Sequence, residues 1–263
     1  IAFINKMDRR GANFDRVLEM MRDVLGATPA PVQIPIGAEE EFVGVIDLIA
    51  NEAKTWHGDD QGVEVHTGPI PAELLEEAAA ARAELADLVA TASEDEDLVE
   101  EYLETGELTD EQLRVGLRAA SLAGAVIPVF CGASLRNRGV QLLLDGVVDY
   151  LPSPLDVPPV AGQHPTSGEA IERAARDDEP LAALAFKIAA DPNVDLVVFV
   201  RIYSGVLKSG SVVWNPRLAQ RERITRIVQM HANRREIVQE ARAGDIVVLI
   251  GPRVTGTGDT LCT

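Results

Sequence analysis

The opening run Ile1-Ala2-Phe3-Ile4 is apolar without interruption, as in a buried strand, and it gives way at once to the polar Asn5-Lys6-Met7-Asp8. Phe14, Val17, Leu18, Met21 and Leu25 then recur along one helical face, with Asn13 placed to cap the start and Gly26 to end the helix. Pro29 and Pro31 exclude any continuation, and residues 32–36 predict the next strand, suited to a sheet edge because of its prolines. Strand, helix and strand make half of a parallel α/β layer. From Gly37 the pattern changes. Residues 42–49 and Lys54-Thr55-Trp56 predict short antiparallel strands, and Gly58-Asp59-Asp60-Gln61-Gly62 a turn-rich loop. Pro71 opens a helix whose Leu74, Ala78, Ala81, Leu85 and Leu88 form one stripe, and a second, short helix is expected around residues 98–103. A third starts where Thr109 and Gln112 have capping-box spacing and Leu108 and Leu113 that of a hydrophobic staple. Residues 126–131 are again continuously apolar and resume the first layer as a strand covered on both faces. Val140, Leu143, Leu144, Val147 and Leu151 complete that layer with a helical stripe.

Pro152, Pro154, Pro158 and Pro159 then stiffen the chain, and residues 161–179 are polar with no sustained period. Beyond them, short strand-like segments at 183–188, 196–203, 211–215, 223–229 and 245–250 are divided by turns such as Asp191-Pro192-Asn193, Ser204-Gly205 and Lys208-Ser209-Gly210. Regular short strands with turn punctuation predict a small closed barrel. The expected organisation is an α/β domain in two segments, 1–36 and 126–152, an inserted acidic α+β subdomain at 37–125, a linker at 153–180, and an all-β barrel domain at 181–263.

A length of 263 residues fits about two domains. No apolar run reaches the roughly 18 residues of a membrane span, and no signal-peptide pattern is present, so the expectation is a soluble protein without a membrane partner, and its two distant cysteines fit a reducing cytoplasm. Charge divides the picture further than the net of -18 suggests. From Glu73 to Glu111 there are fifteen acidic residues and one basic, Arg82, whereas from Arg201 to Arg242 there are nine basic and three acidic. The first stretch suits a protein partner and the second a nucleic acid, although charged helices are also simply solvated surfaces.

Candidate chemistry concentrates at Asn5, Lys6 and Asp8. A side-chain amide can pair with a purine carbonyl and ring nitrogen, a carboxylate can accept from the N–H groups of guanine, and the apolar stem of a lysine can lie along the ring. A plain polar turn after a strand uses the same residue types. A second small polar loop, Gly132-Ala133-Ser134-Leu135, follows the later buried strand and can converge on the same ligand, because open α/β sheets bind at the carboxyl ends of their strands. No catalytic residue and no metal ligand set is expected. His57, His66, His164 and His231 have no Ser or Cys at meaningful spacing, and Cys131 and Cys262 sit far apart on apolar segments, as buried thiols do. Trp56 and Trp214 read as packing residues. No Gly-x-x-x-x-Gly-Lys-Ser/Thr occurs, and Lys208-Ser209 is a false lead because Leu207 stands at the glycine position.

Together these residues resemble a family. Asn5-Lys6-Met7-Asp8 resembles the guanine-specificity motif of GTPases, and Gly132-Ala133-Ser134-Leu135 its second guanine-contacting loop. With Gly37-Ala38-Glu39-Glu40, the long insert, Phe186-Lys187-Ile188, Asp191-Pro192, the run from Arg201 to Gly210, Met230-His231-Ala232-Asn233, Ala243-Gly244-Asp245 and Thr257-Gly258-Asp259-Thr260-Leu261, the chain is similar to translation elongation factor G over nearly its full length. The resemblance implies the C-terminal half of a P-loop GTPase domain followed by a translation-factor barrel. Asn5 and Asp8 would recognise guanine, Lys6 pack along it, and backbone groups at Ala133, Ser134 and Leu135 bind its carbonyl oxygen. It also implies a parent that hydrolyses GTP on the ribosome during translocation, with GTP or GDP and magnesium as ligands. Its barrel would touch small-subunit ribosomal RNA, and the acidic insert would approach the large-subunit stalk protein. The chain starts inside a strand and lacks a phosphate loop, so it reads as a fragment without the phosphate-binding half or later domains, not expected to hydrolyse GTP or hold it tightly alone. Another ribosome-associated GTPase, a class II release factor or a ribosome-protection protein, is the near alternative. A non-enzymatic RNA-binding barrel with an acidic interaction module is the distant one. Two positions depart from the family pattern. Ala133 precedes Ser134 where the family has Ser then Ala, removing a hydroxyl that would brace Asp8, and Asp195 stands in place of a turn glycine.

Overall fold

In the computed structural model, which describes residues 1–56, 62–164, 167–191, 195–231 and 234–263, two units are distinguished, Ile1–Leu151 and Pro152–Thr263. The first begins with β1 (Ala2–Ile4), α1 (Phe14–Asp23), β2 (Pro29–Pro31) and β3 (Gln33–Ile36). It continues through β4 (Gly44–Asp47), β5 (Glu52–Thr55), β6 (His66–Gly68) and the helices α2 (Leu75–Ala92), α3 (Glu96–Thr105) and α4 (Asp110–Leu122). It closes on β7 (Ile127–Cys131) and α5 (Val140–Tyr150).

The apolar runs at each end of this unit form the parallel sheet β1-β7-β2, with Ile4 opposite Cys131. That register places the ends of β1 and β7, and the two polar loops that follow them, side by side. The third strand is not the one expected. Residues 29–31 pair with β7, whereas Gln33–Ile36 pairs antiparallel with β4 in a separate sheet of order β3-β4-β5-β6. The reason lies in the proline spacing. Thr28 O accepts from Ile127 N (2.8 Å) and Val32 N donates to Val129 O (3.1 Å), so the even-numbered residues face β7. Pro29 and Pro31, which have no N–H to give, therefore face the sheet edge.

Local signals formed the helices largely as expected. Asn13 caps α1 by accepting from Arg16 N (2.8 Å). Thr109 and Gln112 form a complete capping box at the start of α4, with Leu108 and Leu113 buried beside it. Pro71 does not open α2 directly, because an intervening 3-10 turn, Ala72–Leu74, comes first. Ala78 and Leu85 of the α2 stripe are buried together with Ala86 and Val89. Arg82, the lone cation of the acidic stretch, donates Nη1 to Leu48 O (2.5 Å) and Ile49 O (2.6 Å) and pairs through Nη2 with Asp110 (2.7 Å). It thus fastens α2 both to the turn after β4 and to the start of α4. Trp56 is buried, in keeping with a packing role.

The second unit opens with the hairpin β8 (Val160–Gln163) and β9 (Ala170–Arg173), inside the stretch read as a linker. Every residue of β8 is exposed, so this hairpin has no buried face to impose an alternating pattern on its sequence. There follow β10 (Ala182–Asp191), β11 (Asp195–Ser204), β12 (Leu207–Lys208), β13 (Val212–Asn215), β14 (Gln220–Arg223) and β15 (Arg226–His231). The remaining strands are β16 (Arg234–Val238), β17 (Glu240–Ala241), β18 (Ile246–Ile250) and β19 (Thr260–Cys262). Eight of them form one sheet of order β14-β13-β19-β10-β11-β18-β15-β16. The pair β12-β17 and the bond from Ser209 N to Gln239 O (2.8 Å) tie the chain leading into β13 to the chain leaving β16, which curls the sheet into a barrel. Its core includes Val198, Val200, Ile202, Ile224, Ile227, Leu249 and Leu261. The expected turn at Asp191-Pro192-Asn193, the end of the Met230-His231-Ala232-Asn233 motif, the Asp195 side chain and the loop around His57 to Gln61 lie on or against residues outside those described.

Candidate nucleotide-base site

Asn5 follows the last residue of β1, and its side chain closes the distance between two loops far apart in sequence. Oδ1 accepts from Ser134 N (3.0 Å), from Ser134 Oγ (3.0 Å) and from its neighbour Lys6 N (2.7 Å). With Oδ1 committed to the protein, the Nδ2 donors are what Asn5 can offer a ligand. The next residue, Lys6, sits in the left-handed region at φ 64, which costs a non-glycine residue about 1 kcal/mol or more. Neighbouring bonds hold it there. Met7 N donates to Gly132 O (3.0 Å), and Met7 O accepts from Glu39 N (2.8 Å). Glu39 also receives Gly11 N on Oε1 (2.6 Å), so the turn at Glu39–Glu41 braces the whole 5–11 loop.

The opposing loop is shaped by close packing. A Cβ on Gly132 would come within 2.3 Å of Arg138 O and 2.8 Å of the Phe3 ring, so only glycine lets this loop pass over β1. Ala133 and Arg138 bridge, and the turn Ser134–Arg136 ends on Asn137 in the left-handed region at φ 56. Between the two loops lies a concavity of about 450 Å³ lined by Asn5, Lys6, Asp8, Arg9, Ala133, Ser134 and Leu135. All six residues singled out from the sequence thus line one surface. Arg9, from the same loop as Asp8, was not among them. The Asp8 carboxylate, 9% exposed, pairs with Arg136 Nε at 3.2 Å, a partner that no spacing rule in the sequence reveals. Ser134 N–H, one of the backbone donors expected to meet a ligand, is used within the protein by Asn5.

A family model described as the elongation factor Tu GTP binding domain matches residues 1–153. The chain belongs to that GTP-binding-domain family. A second model, elongation factor G domain 2, matches residues 180–263, so the barrel too is a translation-factor domain. In structure the chain is similar to a protein from Thermus thermophilus of known crystal structure, with 26% identity and a TM-score of 0.77. The match covers 99% of this chain and 35% of that one, so the chain spans about a third of its relative's length. The architecture expected from the sequence, a GTPase α/β domain followed by a β-barrel, is the one found. The matching model is, by its description, that of a GTP-binding domain.

The charged stretches of this translational-GTPase pair of domains are less uniform than their composition. In the barrel, Arg217 is paired with Asp259, and Arg242 with Asp177 (2.5 Å) and Glu240 (2.6 Å), so two of the nine cations are already neutralised. Arg221, Arg223, Arg226 and Arg234 are exposed on or next to the outer strands of the sheet. In the insert, Glu94, Asp95, Glu96, Glu100 and Glu104 surround Val99 and the 77% exposed Leu103 on α3. Among the described residues no group of three or more His, Cys, Asp or Glu could hold a metal ion, and no helix is long and apolar enough to cross a membrane. Cys131 is fully buried in β7, and burial pushes its thiol far above the usual range.

Proposed function

We propose that the concavity between residues 5–9 and 133–135 reads the guanine base of GTP or GDP, in a ribosomal translocation factor of the elongation factor G type. The observation that carries this is the Asn5 side chain, whose Oδ1 is tied to Ser134 while its amide donors and the Asp8 carboxylate line the same surface. A donor beside a double acceptor complements the carbonyl, N1–H and amino edge of guanine and opposes the edge of adenine. The stem of Lys6, set by its left-handed backbone, supplies a wall for the ring.

These 263 residues contain no Gly-x-x-x-x-Gly-Lys-Ser/Thr, so the reading assigns them the base and assigns the phosphates and magnesium to residues outside them. The chain alone accordingly binds GDP weakly and does not hydrolyse GTP. In the same reading, the exposed arginines of the barrel meet small-subunit ribosomal RNA, and the acidic face of α3, with Leu103 at its centre, meets a basic protein of the large-subunit stalk.

Backbone amide NMR on the chain tests the base site. GMP is expected to shift Lys6, Ser134 and Leu135, and AMP to leave them in place. Equal shifts with both nucleotides would refute base recognition. Sedimentation with small ribosomal subunits, with loss of binding as salt rises and in an Arg221→Ala/Arg223→Ala variant, tests the barrel.

A further inference from the structure

Asp8 is nearly buried, yet its carboxylate has few protein partners to fix it. The residue best placed by sequence, Ala133, is itself buried and offers only a methyl group, and the Ser134 hydroxyl is spent on Asn5. The partner that remains is Arg136, whose Nε lies 3.2 Å from Asp8 Oδ2. Arg136 is not among the residues lining the concavity, so its guanidinium meets the carboxylate from outside the space a ligand would fill. Its approach is built into the loop. Arg136 N donates to Ala133 O (2.9 Å), Asn137 N to Ser134 O (3.0 Å), and Ala133 and Arg138 exchange hydrogen bonds of 2.9 and 3.2 Å. Asn137 in the left-handed region then turns the chain away. The short turn that carries Ser134 and Leu135 to one side of the concavity therefore delivers Arg136 to the outer side of Asp8.

A cation held against Oδ2 as an ion pair restrains the carboxylate while leaving its other lone pairs available to a ligand. We propose that Arg136 is a positioning residue for Asp8, and that it sets how strongly the site prefers guanine over bases lacking the exocyclic amino group. The inference rests on the base-site reading above. Without Arg136 the Asp8 carboxylate is free to rotate, and the bond most dependent on its orientation is the second of the two it makes with guanine. Hypoxanthine, which presents N1–H and no amino group, forms only the first.

The test compares GMP with IMP, whose identical phosphates cancel, by NMR titration of the Lys6, Ser134 and Leu135 amides in the chain. Because Arg136 is 61% exposed, its replacement is expected to weaken GMP by a modest factor, about two- to fivefold, with a smaller effect on IMP, so that the GMP-to-IMP ratio falls. Arg136→Lys, which keeps the charge but not the planar guanidinium that carries it to Asp8, should fall between wild type and Arg136→Ala. In an Asp8→Ala background Arg136→Ala should change nothing. A loop merely loosened by the substitution would weaken both nucleotides alike and would do so with or without Asp8, and either result overturns the proposal. GMP binding with an unchanged ratio in Arg136→Ala overturns it while leaving the base site standing. If neither nucleotide shifts the three amides, or if Asp8→Ala leaves GMP binding intact, the base-site reading falls and this inference with it.

Discussion

Asp259 belongs to the Thr257-Gly258-Asp259-Thr260-Leu261 motif, and its surroundings assign it a structural task that can be measured. The side chain is 2% exposed. It accepts from Asn215 Nδ2 (2.9 Å), Gly256 N (2.8 Å) and Arg217 Nη2 (2.8 Å), with a further short contact to Arg217 Nε. Replacing Asp259 by Ala strands these donors unequally. Asn215 is fully buried, so its amide loses a partner that water cannot replace, at a cost of about 1–3 kcal/mol. Gly256 N–H is only partly buried and adds about 1 kcal/mol, whereas Arg217 is more than half exposed and returns to water with little loss. The expected destabilisation is about 2–4 kcal/mol, or a fall of about 10–20 °C in the melting temperature of the barrel unit. Trp214 lies in β13 next to Asn215, and the other tryptophan, Trp56, lies in the first unit, so a Trp56→Phe background makes fluorescence report on the barrel alone. Acid should reduce the difference. Hydrogen bonding from Arg217 outweighs burial and holds the Asp259 carboxyl well below its usual range. A depressed value in the folded state means stability that is fully present above the ordinary carboxylate value and is lost as the pH falls below it. The gap between wild type and Asp259→Asn should therefore be widest near neutrality and shrink in acid. A loss below about 0.5 kcal/mol in Asp259→Ala, or a gap that grows in acid, would refute the reasoning.

Three further substitutions probe the first unit. Arg82→Ala leaves the Leu48 and Ile49 carbonyls without their shared donor and should cost about 2–3 kcal/mol in urea unfolding, with Arg82→Lys recovering only part, because one ammonium cannot reproduce the fork. Thr109→Ala should cost about 1 kcal/mol by removing the capping box of α4, and hydrogen exchange should localise the change to the first turn of that helix. Gly146→Ala should destabilise by about 1–3 kcal/mol despite the gain in helix propensity. The new methyl group would lie 2.2 Å from the Phe130 ring, and a stabilised variant in thermal unfolding would show that α5 is free to move off β7.

What could be read from the chain alone was whatever depends on neighbours within a few residues. The caps at Asn13 and Thr109, the stripe of α2, the buried run of β7 and the paired polar loops at 5–8 and 132–135 all announce themselves through local spacing. The hairpin at 160–173 escaped because exposed strands carry no apolar alternation, and the short β12, β17 and β19 escaped because a few residues cannot establish a period. The destination of residues 33–36 was also hidden. Their apolar character suits either sheet, and the choice was made by the facing of the Pro29 and Pro31 ring nitrogens just upstream. For the candidate site, sequence named the residue types and the strand ends that carry them. Only tertiary structure decided that Ile4 lies opposite Cys131, that Asn5 spends its oxygen on Ser134, and that Arg136 stands behind Asp8. Propensity and periodicity act over a turn of helix or a strand, whereas these contacts join residues more than a hundred positions apart, and folding of the sheet between them is what brings them within hydrogen-bonding distance.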